Sequence, residues 1–176
     1  MKKILLFSFL VLCTLVCNAQ KKKSFYYDGI EIHNVKGWTI APSKDANVTT
    51  ITFVLLPSQL QIKKQGLPQN FNATRYLEKT VEQLMEMNVR ASRKDSKIKA
   101  VGEVSDGFIN SIPAKYVDIT YSKDIVKRIY TFSMNDQLFI VQWTGEGTIN
   151  KVAKVFDKVL STFTYNPERS PYGSLM

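Results

Sequence analysis

Val126-Lys-Arg-Ile-Tyr-Thr-Phe-Ser-Met-Asn-Asp-Gln-Leu-Phe-Ile-Val-Gln-Trp143 is the stretch on which the fold turns. Its first half alternates. Val126, Arg128, Tyr130, Phe132 and Met134 share one side of an extended chain, opposite Lys127, Ile129, Thr131 and Ser133. Asn135-Asp136 then supplies turn chemistry. The second half, Leu138 to Trp143, is almost continuously apolar, which predicts a central strand covered on both faces. Pro113 to Tyr121 precedes the pair as a third β-rich run, so the three read as a meander.

Beyond Trp143, the residues Ile149, Val152, Ala153, Phe156, Val159 and Leu160 repeat at helical spacing, and Thr148 is placed to cap them. Phe163 to Tyr165 gives a last extended piece, and 166–176 reads as a loose tail. In the other direction, Ile98 to Val104 and Gly107 to Ile109 are short strand segments. Before them, Leu77, Val81, Leu84, Met85 and Asn88 mark a helix of about four or five turns, capped at Asn72 and ended by the charged run from Arg90 to Asp95. Further back, Ser24–Tyr27 and Ile30–His33 form a hairpin around Asp28-Gly29. Val35 to Ile40 leads into a strand stopped by Pro42, Val48 to Leu56 is a buried strand ended by Pro57, and Leu60 to Lys64 alternates again. The order strands, helix, strands, helix predicts one α+β domain over 24–165, with a mainly antiparallel sheet and helices packed on it.

The first twenty residues have the layout of a signal peptide. Lys2 and Lys3 precede an uncharged run from Ile4 to Val16, which breaks at Cys17-Asn-Ala-Gln20. As a helix the run would span about 20 Å, short of the roughly 30 Å of bilayer hydrocarbon. Removal of 1–19 by cleavage between Ala19 and Gln20 is therefore expected, with no transmembrane anchor and a basic leader at 20–23. Lipidation at Cys17 is the rival, but Val16 before it is not the small residue that signal favours. Cleavage takes both cysteines, Cys13 and Cys17, out of the mature chain, and with them any disulfide, thiolate metal site or cysteine nucleophile. Losing Lys2 and Lys3 lowers the formal charge from +9 to +7. Export to the periplasm or the cell exterior sets nucleic acid aside as a partner. An envelope protein, a glycan or an anionic lipid surface remains, beside the plain reading of a solvated, solubilising lysine surface.

Four segments carry a family resemblance. They are Phe25-Tyr-Tyr-Asp-Gly-Ile-Glu-Ile-His33 with Val35-Lys-Gly-Trp38, the helix around Thr74-Arg-Tyr-Leu-Glu78, Ile112-Pro-Ala-Lys-Tyr-Val117 with the strands at Tyr130 and Leu138–Trp143, and the closing helix Val152–Leu160 with Ser161-Thr-Phe163. Together they resemble the PsbP-like family of small α-β-α sandwich domains. The resemblance implies that fold and a role as an extrinsic subunit or binding adaptor. It implies no catalytic residue, because the family shares none, and fold alone is a weak guide to function.

The residues themselves offer little chemistry. His33 is the only histidine, and on a strand it reads as structural or surface. Gly145-Glu-Gly147 before a helix resembles an anion-binding turn, although capping and turn formation explain it better. Glu78, Glu82 and Glu86 repeat every four residues and read as a solvated helix face, with Glu86 and Arg90 as an ion pair. Asp106-Gly107 and Asp124 fall at apparent turns. No catalytic, metal or cofactor site is expected. Adjacent Tyr26 and Tyr27 point to opposite sides of a strand, so Tyr26, Tyr27 and Trp38 form a candidate binding surface. The leading expectation is an exported, non-enzymatic binding or accessory module. The alternatives are a small-ligand or lipid carrier with a pocket between helix and sheet, and a hydrolase built on carboxylates and His33.

Overall fold

The computed structural model describes residues 24–45, 48–66, 73–121, 124–135 and 137–169. The expected signal segment with Ala19 and Gln20, the basic leader, the Asn72 cap and the end of the tail lie outside them. Among the described residues thirteen elements follow one another. They are β1 (Ser24–Tyr27), β2 (Ile30–His33), β3 (Thr39–Asp45), β4 (Val48–Leu55), β5 (Ser58–Gly66), α1 (Ala73–Lys94), β6 (Ile98–Val101), β7 (Ser105–Ile109), β8 (Ile112–Tyr121), β9 (Ile125–Met134), β10 (Gln137–Glu146), α2 (Ile149–Leu160) and β11 (Thr164–Tyr165). The main sheet runs β3-β4-β5-β10-β9-β8-β6, with β7 also paired to β8, and β1-β2-β11 form a small second sheet. Every pairing among the described residues is antiparallel, in line with the expected mainly antiparallel α+β sheet.

Side-chain alternation along β8, β9 and β10 assigns the two faces of the main sheet. One face sends Phe53, Leu60, Ile62, Tyr130, Phe132, Phe139, Val141 and Trp143 into the larger core. Helix α2 and the small sheet close that core. Phe156 of α2 stacks on Trp143 with ring centroids 5.1 Å apart, and Phe25 of β1 meets Phe53 edge-on at 5.4 Å. The second face sends Val117, Ile119 and Ile129 under α1, where Met85 and Val89 meet them. The result is helix, sheet, helix.

Three local expectations shift. Strand β3 runs through Pro42 instead of stopping there. It is the edge of the main sheet, and an edge strand has one unpaired side on which a missing N–H forfeits no ladder bond. Helix α1 has 22 residues, longer than expected, because the charged run after Arg90 is made of good helix formers and stays helical to Lys94. Strand β10 is central, between β5 and β9, and its α1-side face is closed only in part, with Leu138 buried and Ile140 packed on the α1 core. Phe139, Val141 and Trp143 are buried, whereas Ile140 and Gln142 on the α1 side are only partly so.

Candidate binding surfaces

A groove of about 640 Å³ lies on the α1 side of the sheet. Val81 and Glu82 of α1 form one wall, and Asp106 to Phe108, Pro113 to Lys115, Phe132 and Ser133 supply the rest. Strand pairing explains the arrangement. β7 and β8 form a hairpin in which Asp106 lies opposite Lys115 and Phe108 opposite Pro113. Lys115 in turn pairs across to Thr131 of β9, whose hydroxyl donates to the Val81 carbonyl of α1 at 3.4 Å. Lys115 Nζ sits 2.6 Å from Asp106 Oδ1, and that carboxylate holds the ammonium above its ordinary pKa. Phe108 is the outlier: it is 70% exposed at the groove edge although it lies within a strand. Gly107 beside it fits close packing, since a Cβ there would stand 2.9 Å from the Tyr116 ring.

The aromatic trio anticipated from sequence separates. Tyr27 and Trp38 lean on the larger core, Trp38 edge-on to Phe156 at 5.7 Å. Tyr26 lies on the other side of β1, with the Arg169 guanidinium 5.1 Å from its ring centroid. Arg169 also reaches Glu31 at 2.6 Å, and the Asn166 N–H donates to the Gly29 carbonyl, so the start of the expected tail is tied to the small sheet.

His33 is exposed at the end of β2. Ser24 Oγ lies 2.6 Å from its Nδ1, and Glu31 Oε1 lies 3.6 Å from its Nε2. The order serine, histidine, carboxylate is superficially that of a triad. Here, however, Glu31 is held by Arg169, and the Glu31–His33 separation exceeds hydrogen-bond reach. What the set provides is lacing between β1, β2 and the chain after β11.

Two charged clusters build the scaffold. Asp28, in the left-handed conformation at the β1–β2 turn, meets Lys64 at 2.6 Å and Lys44 at 3.1 Å, and accepts from the Thr49 hydroxyl. Burial pushes its carboxyl up, but the bonds from Lys64, Thr49 and Lys44 outweigh that and leave it below the ordinary value of 3.8. Arg128 of β9 forks onto Asp118 of β8 at 2.6 and 2.9 Å and lies 4.4 Å from the Tyr116 ring centroid. Burial opposes the guanidinium charge there, while Asp118 and Tyr130 more than restore it. Glu82 and Glu86 are exposed, and Glu86 pairs with Arg90 at 3.5 Å. Thr148 occupies the cap position of α2, but its hydroxyl makes no capping bond.

Sequence reading did not single out Phe108. An Asp-Gly-Phe-Ile run reads as a turn followed by core, and nothing in one chain distinguishes a phenylalanine that packs from one left at a rim.

No family model matches the chain, and no curated protein matches it in sequence. Among solved structures it is similar to cyanobacterial PsbP (CyanoP) from Synechocystis sp. PCC 6803, with a TM-score of 0.51 and 17% identity over 82% of this chain and 94% of that one. It is also similar to a protein from Bacteroides thetaiotaomicron VPI-5482, with a TM-score of 0.54 and 14% identity over 87% of this chain. The match spans 51% of that second protein. At these identities the likeness is one of fold.

Proposed function

We propose that this chain is a PsbP-like accessory module of a bacterial-type cell envelope, exported and non-enzymatic, and that it binds through the groove beside Phe108. The coarse part, an accessory or binding module, is what the likeness to cyanobacterial PsbP suggests. Export draws its support from the cationic and apolar pattern of Met1 to Gln20. The observation that carries the reading is Phe108, a large aromatic 70% exposed at the edge of a concave, mixed apolar and charged surface. Exposed aromatics beside pockets are the side chains that dominate binding energy at interfaces, because they bury a large rigid area on contact.

The test is capture from envelope extracts by the mature protein and by Phe108→Asp. The reading expects a partner held by the first and lost with the second. An unchanged set of captured proteins contradicts it, and so does histidine-dependent turnover of hydrolase substrates. A carrier role is the second reading, favoured by the groove volume, which falls within the roughly 300–1,000 Å³ of small-molecule sites. Native mass spectrometry separates the two. A carrier leaves the cell with a stoichiometric adduct, whereas a docking module flies at its bare mass.

A further inference from the structure

Three of the six large hydrophobic side chains that stand exposed among the described residues gather at one place: Leu55, Leu56 and Val155. Leu55 pairs with Ser58 at the end of the β4–β5 hairpin, and Leu56-Pro57 makes the tip. Leu56 is 87% exposed, more than any other large apolar residue of the set. Leu55 shares the α2 side of the sheet with Ile51 and Phe53. Two contacts tie this hairpin end to α2. Because Thr39 pairs with Val54, Trp38 stands beside Leu55, and its ring lies edge-on to Phe156 of α2 at 5.7 Å. A Cβ on Gly145 would stand 2.7 Å from Val152 and 3.0 Å from Ser58 Oγ, so the first turn of α2 rests against the base of the hairpin.

Helix α2 turns a stripe of lysines outward. Val152, Ala153, Phe156, Val159 and Leu160 point into the core, and Lys151, Lys154 and Lys158, at i, i+3 and i+7, occupy the opposite side. Val155 adjoins both Lys151 and Lys158 on that surface, being four residues after one and three before the other. The β2–β3 loop adds Lys36, held near α2 by Asn34, whose Nδ2 donates to the Lys158 carbonyl at 3.3 Å. All four lysines are exposed, and among the described residues none forms an ion pair. The acids of α2 and of the strand leading into it face elsewhere. Asp157 lies on the flank toward β9, where burial pushes its carboxyl up and the Arg128 charge opposes that. Glu146 alternates with Gly145 onto the α1 side of the sheet.

We infer that this surface docks the protein on an anionic phospholipid bilayer, with Leu55 and Leu56 entering the headgroup region and Lys36, Lys151, Lys154 and Lys158 set against the lipid phosphates. Charge complementarity selects an anion. Composition selects a lipid surface over an acidic protein. Lysine is depleted from protein interfaces and leucine is under-represented among their hot spots, whereas leucine beside lysine is the pattern of segments that lie in a membrane surface. The lysine stems extend the apolar contact while their ammonium groups stay in water. The Phe108 groove lies on the other side of the sheet, so either surface can fail alone.

The test is co-sedimentation of residues 24–176 with vesicles of phosphatidylcholine alone and of equimolar phosphatidylcholine and phosphatidylglycerol, at low and physiological salt. The protein is expected to sediment with the anionic vesicles and not with the neutral ones. Lys151→Gln with Lys154→Gln and Lys158→Gln is expected to weaken binding about a hundredfold. Arg93→Gln with Lys94→Gln and Lys99→Gln, an equal change of charge around the end of α1, should weaken it far less. Leu56→Asp should weaken it about tenfold, and Leu56→Trp should keep it, with an emission that shifts to the blue on anionic vesicles. Phe108→Asp should leave sedimentation unchanged. Equal loss from the α1 variant, indifference to Leu56→Asp, equal binding of neutral vesicles, or no sedimentation at physiological salt overturns the assignment. Retention on poly-glutamate without vesicle binding also overturns it, in favour of an acidic protein.

Discussion

Asp28 is the residue on which most of the small sheet depends. Its carboxylate is nearly buried between Lys44, Lys64 and Thr49, and it turns the chain from β1 to β2. Removing it leaves Lys64, itself nearly buried, with an unpaired charge. Asp28→Ala is therefore expected to cost about 3–5 kcal/mol in urea unfolding at neutral pH. The sign of its pH dependence follows from the depressed pKa. The ionised pair contributes stability above the unfolded value of 3.8 and loses it as pH falls through the lower folded value. Wild-type stability should thus drop in acid below pH 3.8 more steeply than that of Asp28→Asn, and parallel acid profiles would contradict the role. Gly29 beside it has φ +82°, and a Cβ there would stand 2.7 Å from the Tyr165 ring, so Gly29→Ala is expected to lower the melting temperature. A further residue-scale prediction concerns Arg128. Its fork onto Asp118 and its place over Tyr116 need a planar guanidinium, so Arg128→Lys should cost about 1–3 kcal/mol despite keeping the charge.

At the scale of elements, α2 is held by packing and not by its cap. Phe156 is fully buried on Trp143, while the Thr148 hydroxyl makes no capping bond. Phe156→Ala is expected to cost about 3–5 kcal/mol. Thr148→Ala should cost well under the ~1 kcal/mol of a working cap. Urea titrations of the two variants check the contrast. The same helix shows what one sequence makes legible. Its apolar residues recur at a period only a helix satisfies, and Val152, Ala153, Phe156, Val159 and Leu160 are the ones it buries. Pro42 was misleading for a physical reason, since whether proline ends a strand depends on whether that strand has a second neighbour. The same holds for Leu138 to Trp143: its apolar run places it centrally but does not show how far a neighbouring helix extends over it. Phe108 was illegible because exposure belongs to the assembled fold and not to a residue type.

For the whole molecule, the sheet is asymmetric. One face is closed by α2 and the small sheet, and α1 covers the β8–β9 part of the other. Among the described residues, the strands, the two helices and the antiparallel order were legible from periodicity taken together with turn signals and element order. The groove was not, because it arises where α1 meets the β7–β8 hairpin, a contact between segments distant in sequence. The proposed function follows that asymmetry, with the Phe108 groove as the proposed docking site. Hydrogen exchange of residues 24–176 with and without envelope extract tests this most directly. Slowed exchange confined to β7, β8 and the Val81–Glu82 turn of α1 is the expected result. Protection elsewhere with β7 and β8 unchanged, or no protection at all, would contradict it.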